Sequence, residues 1–247
     1  MVEISLKAEE LFHIGSFPVT NAIMVALAGF ALFSAFGLVF RRKLALVPAG
    51  FQNAVEFAVE GLLNTVMGVL QSREKAEKYL PLIATIFFFV MITNWMGLLP
   101  GVGSLGIYGE HEGREAFIPF FRAPATDLNF TIGLAIIAVF GVNLFAMLAV
   151  GVRRRLSAFF TFKNPIYTFV GLLEFISELA KIVSFSFRLF GNIFAGEVLL
   201  TIIGFLLPFA VPLPFLFLEI FVGFVQAFVF AMLTTVFIAI ATAEQEH

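Results

Sequence analysis

Ser184-Phe-Ser-Phe-Arg188-Leu-Phe-Gly-Asn192-Ile-Phe-Ala-Gly-Glu197 sets an arginine and a glutamate inside a run that otherwise has the composition of a membrane-spanning helix. A charge near the centre of a bilayer costs from about 3 to more than 10 kcal/mol, so an ionisable group at that depth points to function. Arginine sharpens the constraint, because its guanidinium cannot be deprotonated in a protein and so cannot escape the cost by going neutral. Arg188 therefore needs a water-filled cavity, an anionic partner, or both.

The composition around this stretch fixes the class. Of 247 residues, 60% are hydrophobic and 13% charged, 35 are Phe, and the mean hydropathy is +1.01. That is an integral membrane protein, far from the range of a soluble domain. A net charge of -2 says little, and the lack of cysteine removes disulfides, Cys zinc sites and thiol nucleophiles. His13, His111 and His247 lie in unrelated segments without ligand spacing, so neither a metal nor a cofactor is expected. Gly101-Val-Gly-Ser-Leu-Gly106 matches a dinucleotide fingerprint, but it follows a membrane span and no strand-turn-helix unit surrounds it. The N-terminus lacks the basic flank of a secretory signal and the Arg/Ser-rich look of a transit peptide, so the first apolar segment is expected to be retained.

Charge-free runs of about 20 residues or more mark the spans of a single membrane domain over 1–247. The expected order is a first span at 14–40, an amphipathic surface segment at 44–78, a second span at 80–99, an exposed outer loop at 100–126, and a third span at 127–152 with Asp127 as N-cap. One helical pattern then covers 165–207, about 64 Å at 1.5 Å per residue and twice the hydrocarbon thickness, so it must break near Lys181 or Gly191 or tilt strongly. The prolines at 208, 212 and 214 make a tight connection to a fifth helix at 214–243. The fold class is thus an all-α integral membrane protein of about five transmembrane helices, the last two forming a long tilted hairpin. The basic residues orient it. Arg41, Arg42, Lys43, Arg73, Lys75, Lys78, Arg153, Arg154, Arg155 and Lys163 fall on one side, against Lys7, Arg114 and Arg122 on the other. The positive-inside rule then puts the N-terminus outside and the C-terminus in the cytoplasm. The runs at 41–43 and 153–155 read as topology determinants, not nucleic-acid patches.

Lys181, Ser184, Arg188, Asn192, Ala195 and Leu199 recur at intervals of three or four and share a helix face, with Gly191 beside it. Glu219, Gly223, Gln226 and Phe230 do the same on the fifth helix. Counting from the proline turn, Glu219 and Glu197 lie roughly 8 and 16 Å away and Arg188 roughly 30 Å, which places both carboxylates on the outer side of the arginine. Protonatable groups lining an aqueous path that stops short of a fixed charge have this order. Two other readings stay open from the residues alone. Arg188 could form a structural ion pair with Glu197 or Glu219, or it could bind an anionic substrate in a secondary transporter. The transporter reading calls for two related halves, and no internal repeat is visible. Lys181 could equally snorkel to the inner surface.

Arg188-Leu-Phe-Gly-Asn192-Ile-Phe-Ala-Gly-Glu197 and Gln226-Ala-Phe-Val-Phe resemble subunit a of the rotary F-type ATP synthase. So do Gln52-Asn53-Ala-Val-Glu56, Asn94-Trp-Met-Gly-Leu-Leu-Pro100 and Pro124-Ala-Thr-Asp127-Leu-Asn129, which extend the resemblance over about four fifths of the chain. It implies a stator with no covalent chemistry of its own. Arg188 would face a ring of c subunits, each with one essential carboxylate, and would separate two offset proton half-channels. Glu197, Asn192, Glu219 and Gln226 match outer half-channel positions, and Ser184 and Lys181 fit the pattern in a supporting role. The resemblance also implies a b-subunit peripheral stalk, other ATP synthase subunits, a bilayer, no nucleic acid, and a bacterial plasma (inner) membrane. Two positions depart from the family pattern. Some members have histidine or a small polar residue at Glu219, and some have an acidic residue at Gly97.

Overall fold

A computed structural model describes residues 8–42, 44–47, 49–99, 101–102, 105–111, 114–159, 165–207 and 211–243. Pro208 of the expected connection and Lys7, Lys43 and Lys163 of the charge tally lie outside the described residues, as do the side chains of Arg114 and Arg154. The chain is dominated by helices: α1 Asn21–Arg42, α2 Phe51–Leu70, α3 Arg73–Met96, α4 Leu128–Val150, α5 Val152–Phe159, α6 Pro165–Leu206 and α7 Pro212–Ala243. Five of them, α1, α3, α4, α6 and α7, are long and apolar enough to cross a membrane. Helices suit such sequences because lipid offers no partner to a backbone N–H or C=O, so each must be satisfied within its own segment. Polar side chains on the spans follow the same logic: the hydroxyls of Thr93, Thr234, Thr235 and Thr242 each donate to the carbonyl four residues back.

Boundaries differ from the sequence expectation where local capping decides them. The third helix starts at Arg73, seven residues before the expected span, because Ser72 caps it. The Ser72 hydroxyl accepts the Lys75 N–H at 3.3 Å, and Gln71 in the left-handed region (φ 54°) ends α2 just before. Gly151, with φ 97°, stops α4, and the arginine run begins a separate short helix, α5. The long fourth helix has no break at Lys181 or Gly191: α6 is continuous over 42 residues. The fifth helix begins at Pro212, where a proline needs no N–H partner.

The segment expected as an exposed outer loop at 100–126 is built. Strands β3 Gly106–His111 and β4 Arg114–Pro119 pair antiparallel from Gly106↔Pro119 to His111↔Arg114. A 3-10 turn at Pro124–Thr126 follows, and Arg122 through Asp127 are buried. A second ribbon, β1 Glu10–Ile14 with β2 Phe17–Thr20, precedes α1. Neither ribbon has the period-2 alternation that marks a strand in sequence.

The chain forms two compact units: Met1–Lys43, Phe88–Thr131 and Phe187–Ala227 in one, and Leu44–Phe87, Ile132–Ser186 and Phe228–His247 in the other. In the first, Asn21 is fully buried. Its amide donates to the Glu9 carboxylate at 3.0 Å and to the Pro119 carbonyl at 3.1 Å, joining the N-terminal segment, α1 and β4. The second buries small and β-branched side chains, among them Val66, Ala76, Ile83, Ala138, Val142 and Ile238, together with Phe185, whose ring stacks on Phe230 at 4.6 Å. Leu82 lies close against Gly141, where an added Cβ would make the end of the leucine side chain shift.

Candidate functional site

Helix α6 sorts its residues cleanly between 184 and 199. Phe185, Ser186, Leu189, Ile193 and Gly196 are buried, whereas Ser184, Arg188, Gly191, Asn192, Ala195 and Leu199 are exposed. The polar stripe legible in the sequence is therefore the open face of the helix. Along it, the Asn192 amide donates to the Arg188 carbonyl at 3.0 Å. The stripe holds small residues either side of the arginine, so a partner helix can approach closely there.

The carboxylates lie elsewhere. Glu219, on α7, is 6% exposed and its carboxylate rests against Gly196, where any Cβ would overlap it. Gly196 is followed on α6 by Glu197. Glu197 is 39% exposed in its side chain, and its Oε1 lies 3.8 Å from Nε of Arg122. Its Oε2 is buried without a hydrogen-bond partner among the described residues. Arg188 is nine residues from Glu197 on the same helix, about 14 Å of axial rise. The glutamate is paired instead with an arginine from the connecting segment.

Arg122, Asn94 and Trp95 shape this cluster, and sequence reasoning gave none of them a role in the site. Arg122 is buried and its Nε also donates to Thr126 Oγ at 3.1 Å, while Thr126 Oγ donates to the Ala123 carbonyl at 2.8 Å. Asn94 donates to the Gly223 carbonyl at 3.1 Å and Trp95 Nε1 to the Ile220 carbonyl at 3.0 Å, fixing α3 to α7 within one turn of Glu219. Gly97 packs on Ala123 so tightly that an added Cβ would overlap it, so this glycine lets the connecting segment close over α3. Asp127 then caps α4, its Oδ1 accepting the Asn129 N–H at 2.9 Å. Gln226 is half-buried, two turns past Glu219 on α7.

Lys181 does not share the open face. In the second unit, Arg155, only 3% exposed, anchors a network on α4, α5 and α6. It donates to Glu174 at 2.9 Å, to Glu178 at 3.0 Å, and through two nitrogens to Asn143 Oδ1 at 3.2 and 3.0 Å. Asn143 in turn donates to Glu178 at 3.1 Å, and Lys181 donates to Glu178 at 2.7 Å with its ammonium 4.8 Å from the Phe237 ring centre. Arg155 is thus more than a boundary charge, and Lys181 is held by an acid in place of snorkelling freely. The signal for both was present: Glu174, Glu178 and Lys181 recur at intervals of four and three, one face of one helix.

A profile of the ATP synthase A chain family matches residues 22–239. The chain belongs to this family. It is 32% identical over 237 residues to ATP synthase subunit a of Moorella thermoacetica, covering 95% of this chain and 96% of the relative. It is 34% identical over 249 residues to subunit a of Campylobacter jejuni, covering 100% and 95%, and 36% identical over 205 residues to that of Campylobacter curvus, covering 83% of each. As an ATP synthase subunit a, it is a multi-pass membrane component of the ATP synthase complex, taking part in ATP synthesis and proton transport and not an enzyme on its own. Membership removes the anion-transporter reading.

The Gly196–Glu219 contact makes a prediction for this subunit a. Gly196→Ala pushes the Glu219 carboxylate aside, and ATP-driven proton pumping by the assembled complex falls by about tenfold, within the reach of a misplaced proton-transfer group. Gly196→Ala/Glu219→Asp, with a shorter acid, recovers part of the rate. Equal pumping by Gly196→Ala and the parent in inverted membrane vesicles would show that the contact is mere packing.

Proposed function

We propose that the chain is the proton-conducting stator of the ATP synthase membrane motor, providing two offset half-channels to the carboxylates of a rotating c-ring. The observation that carries this is the division of polar groups on α6 and α7: Arg188, Ser184 and Asn192 on an open face that also holds Gly191 and Ala195, a half-buried Glu197 about 14 Å along α6 from Arg188, and a buried Glu219 against Gly196. The open face is where a c-ring helix docks and where Arg188 meets the ring carboxylate as it releases its proton. Protons reach that carboxylate by way of Glu219 and Glu197, with Gln226 and Asn192 as hydrogen-bonding groups along the way, and leave on the inner side after nearly a full rotation.

A structural role for Arg188, pairing it with Glu197, is disfavoured by the axial distance and by the Glu197–Arg122 pair. Lys181 takes a supporting part through its bond to Glu178, which holds the inner half of α6. Each charge carried through 100 mV is worth about 2.3 kcal/mol, so several protons are summed for each ATP, and a ring performs that summation mechanically. The distribution of basic residues supports an N-terminus outside and a cytoplasmic C-terminus in a bacterial plasma membrane, with a b-subunit stalk completing the stator.

The test is Glu219→Gln with Glu197→Gln in inverted membrane vesicles. A neutral amide cannot relay a proton, so each single variant slows ATP-driven pumping by about tenfold or more and the double variant by at least as much. Parent-like flux in the double variant would return both residues to structural status.

A further inference from the structure

We infer that Phe185, Phe230 and Phe237 form an insulating layer inside the α6–α7 pair that stops protons from crossing without the ring, an inference that rests on the stator reading above. The Phe185 ring stacks on Phe230 at 4.6 Å between centroids and meets Phe237 edge-on at 5.6 Å. Phe185 and Phe230 are 2% and 3% exposed, and Ala231, Thr234, Thr235 and Ile238 on the same stretch of α7 are fully buried. The two threonine hydroxyls donate to the Phe230 and Ala231 carbonyls at 2.9 Å, so their protons are committed to their own helix.

Polar groups flank the rings. Gln226 precedes Phe230 by one turn and shares its face of α7, and the Lys181 ammonium, bonded to Glu178 at 2.7 Å, lies 4.8 Å from the centre of the Phe237 ring. Along α7, Gln226 and Phe237 are separated by about 16 Å of helix rise. A proton moves along water or along side chains that both donate and accept, and a buried water needs several polar partners. Phenyl rings offer none. Arg188, one turn along α6 from Phe185, is exposed. Its charge guards the open face, and the rings close the buried one. A proton that reaches Gln226 is thereby left with the ring carboxylate as its way across.

The experiment uses the whole ATP synthase in proteoliposomes without nucleotide, where the ring is at rest. Proton entry driven by an imposed membrane potential is read before and after a carbodiimide modifies the ring carboxylate. Phe185→Asn and Phe185→Leu have nearly the same shape and open the same space, but only the amide gives a water hydrogen-bonding partners, while an apolar space stays dry. Phe185→Asn therefore leaks about tenfold faster than the parent, with or without the carbodiimide, and Phe185→Leu stays within about twofold of it. A tight Phe185→Asn overturns the inference. So does equal leak in the two variants, because loosened packing then suffices, and so does a leak that the carbodiimide abolishes, because that path runs through the ring. If Phe185→Asn does not assemble, Phe230→Asn against Phe230→Leu decides in the same way, and failure of both asparagine variants to assemble reduces the rings to packing and overturns the inference too. ATP-driven pumping by the parent that survives the carbodiimide would instead overturn the stator reading.

Discussion

Arg188→Ala abolishes ATP-driven proton pumping, by about a hundredfold or more, while the complex assembles and melts as the parent does. Both halves of this outcome follow from position. The side chain is exposed on the open face of α6, so its loss leaves no cavity, and surface changes of that kind stay within about 0.5 kcal/mol of stability. A fixed guanidinium that meets a developing carboxylate charge away from bulk water has far more leverage on function, of the size seen when a preorganised donor is removed from a reacting site. Arg188→Lys rescues poorly, because an ammonium is a compact charge that can shed its proton when desolvated and lacks the planar two-pronged donor set. Pumping at the parent's rate in either variant would refute the stator reading, and joint loss of assembly and pumping would favour a structural arginine.

The opposite pattern is expected at Arg155. Arg155→Ala strips the buried network of its centre, leaving Glu178, Glu174 and Asn143 without the donor they share. Removing one partner of a buried ionic pair costs about 3–5 kcal/mol, since the remaining charge is uncompensated. The purified complex should lose several degrees in thermal unfolding, and the subunit should fall in abundance in the membrane. Arg155→Met/Glu178→Gln recovers part of the loss: Gln keeps the hydrogen bond to Asn143, and no buried carboxylate is stranded at that position. A single variant as stable as the parent would reduce the network to surface decoration.

How much of this was legible beforehand depends on which interactions fix each part. The five spans were visible because hydropathy follows one rule over twenty residues. The open face around Arg188 was visible because Ser184, Arg188 and Asn192 obey helical spacing, a local property of the chain. Helix ends were less visible. Ser72, just before the charge-rich turn Arg73 to Lys78, starts α3 inside a segment whose composition resembles a surface helix, and only the cap geometry shows it. The segment at 100–126 was misread as a loop because its order comes from partners distant in sequence: Gly97 against Ala123, Asn21 against Pro119, Arg122 against Glu197. Arg122 therefore looked like a charge on the outer surface. Lys181 shared its spacing with two sets of residues, the open face and the acids at 174 and 178, and only packing against Arg155 chose between them.

The central claim is that the open face of α6 is the face a c-ring helix meets, and cross-linking tests it most directly because the chain contains no cysteine of its own. One cysteine is placed at exposed Asn192, another in a separate variant at buried Ile193, each paired with a cysteine beside the essential carboxylate of the ring subunit. In the assembled complex under mild oxidation, Asn192→Cys should give a cross-linked pair with the ring subunit and Ile193→Cys should not. A complex that assembles yet yields no product from Asn192→Cys, or equal product from both, would contradict the assignment of this face.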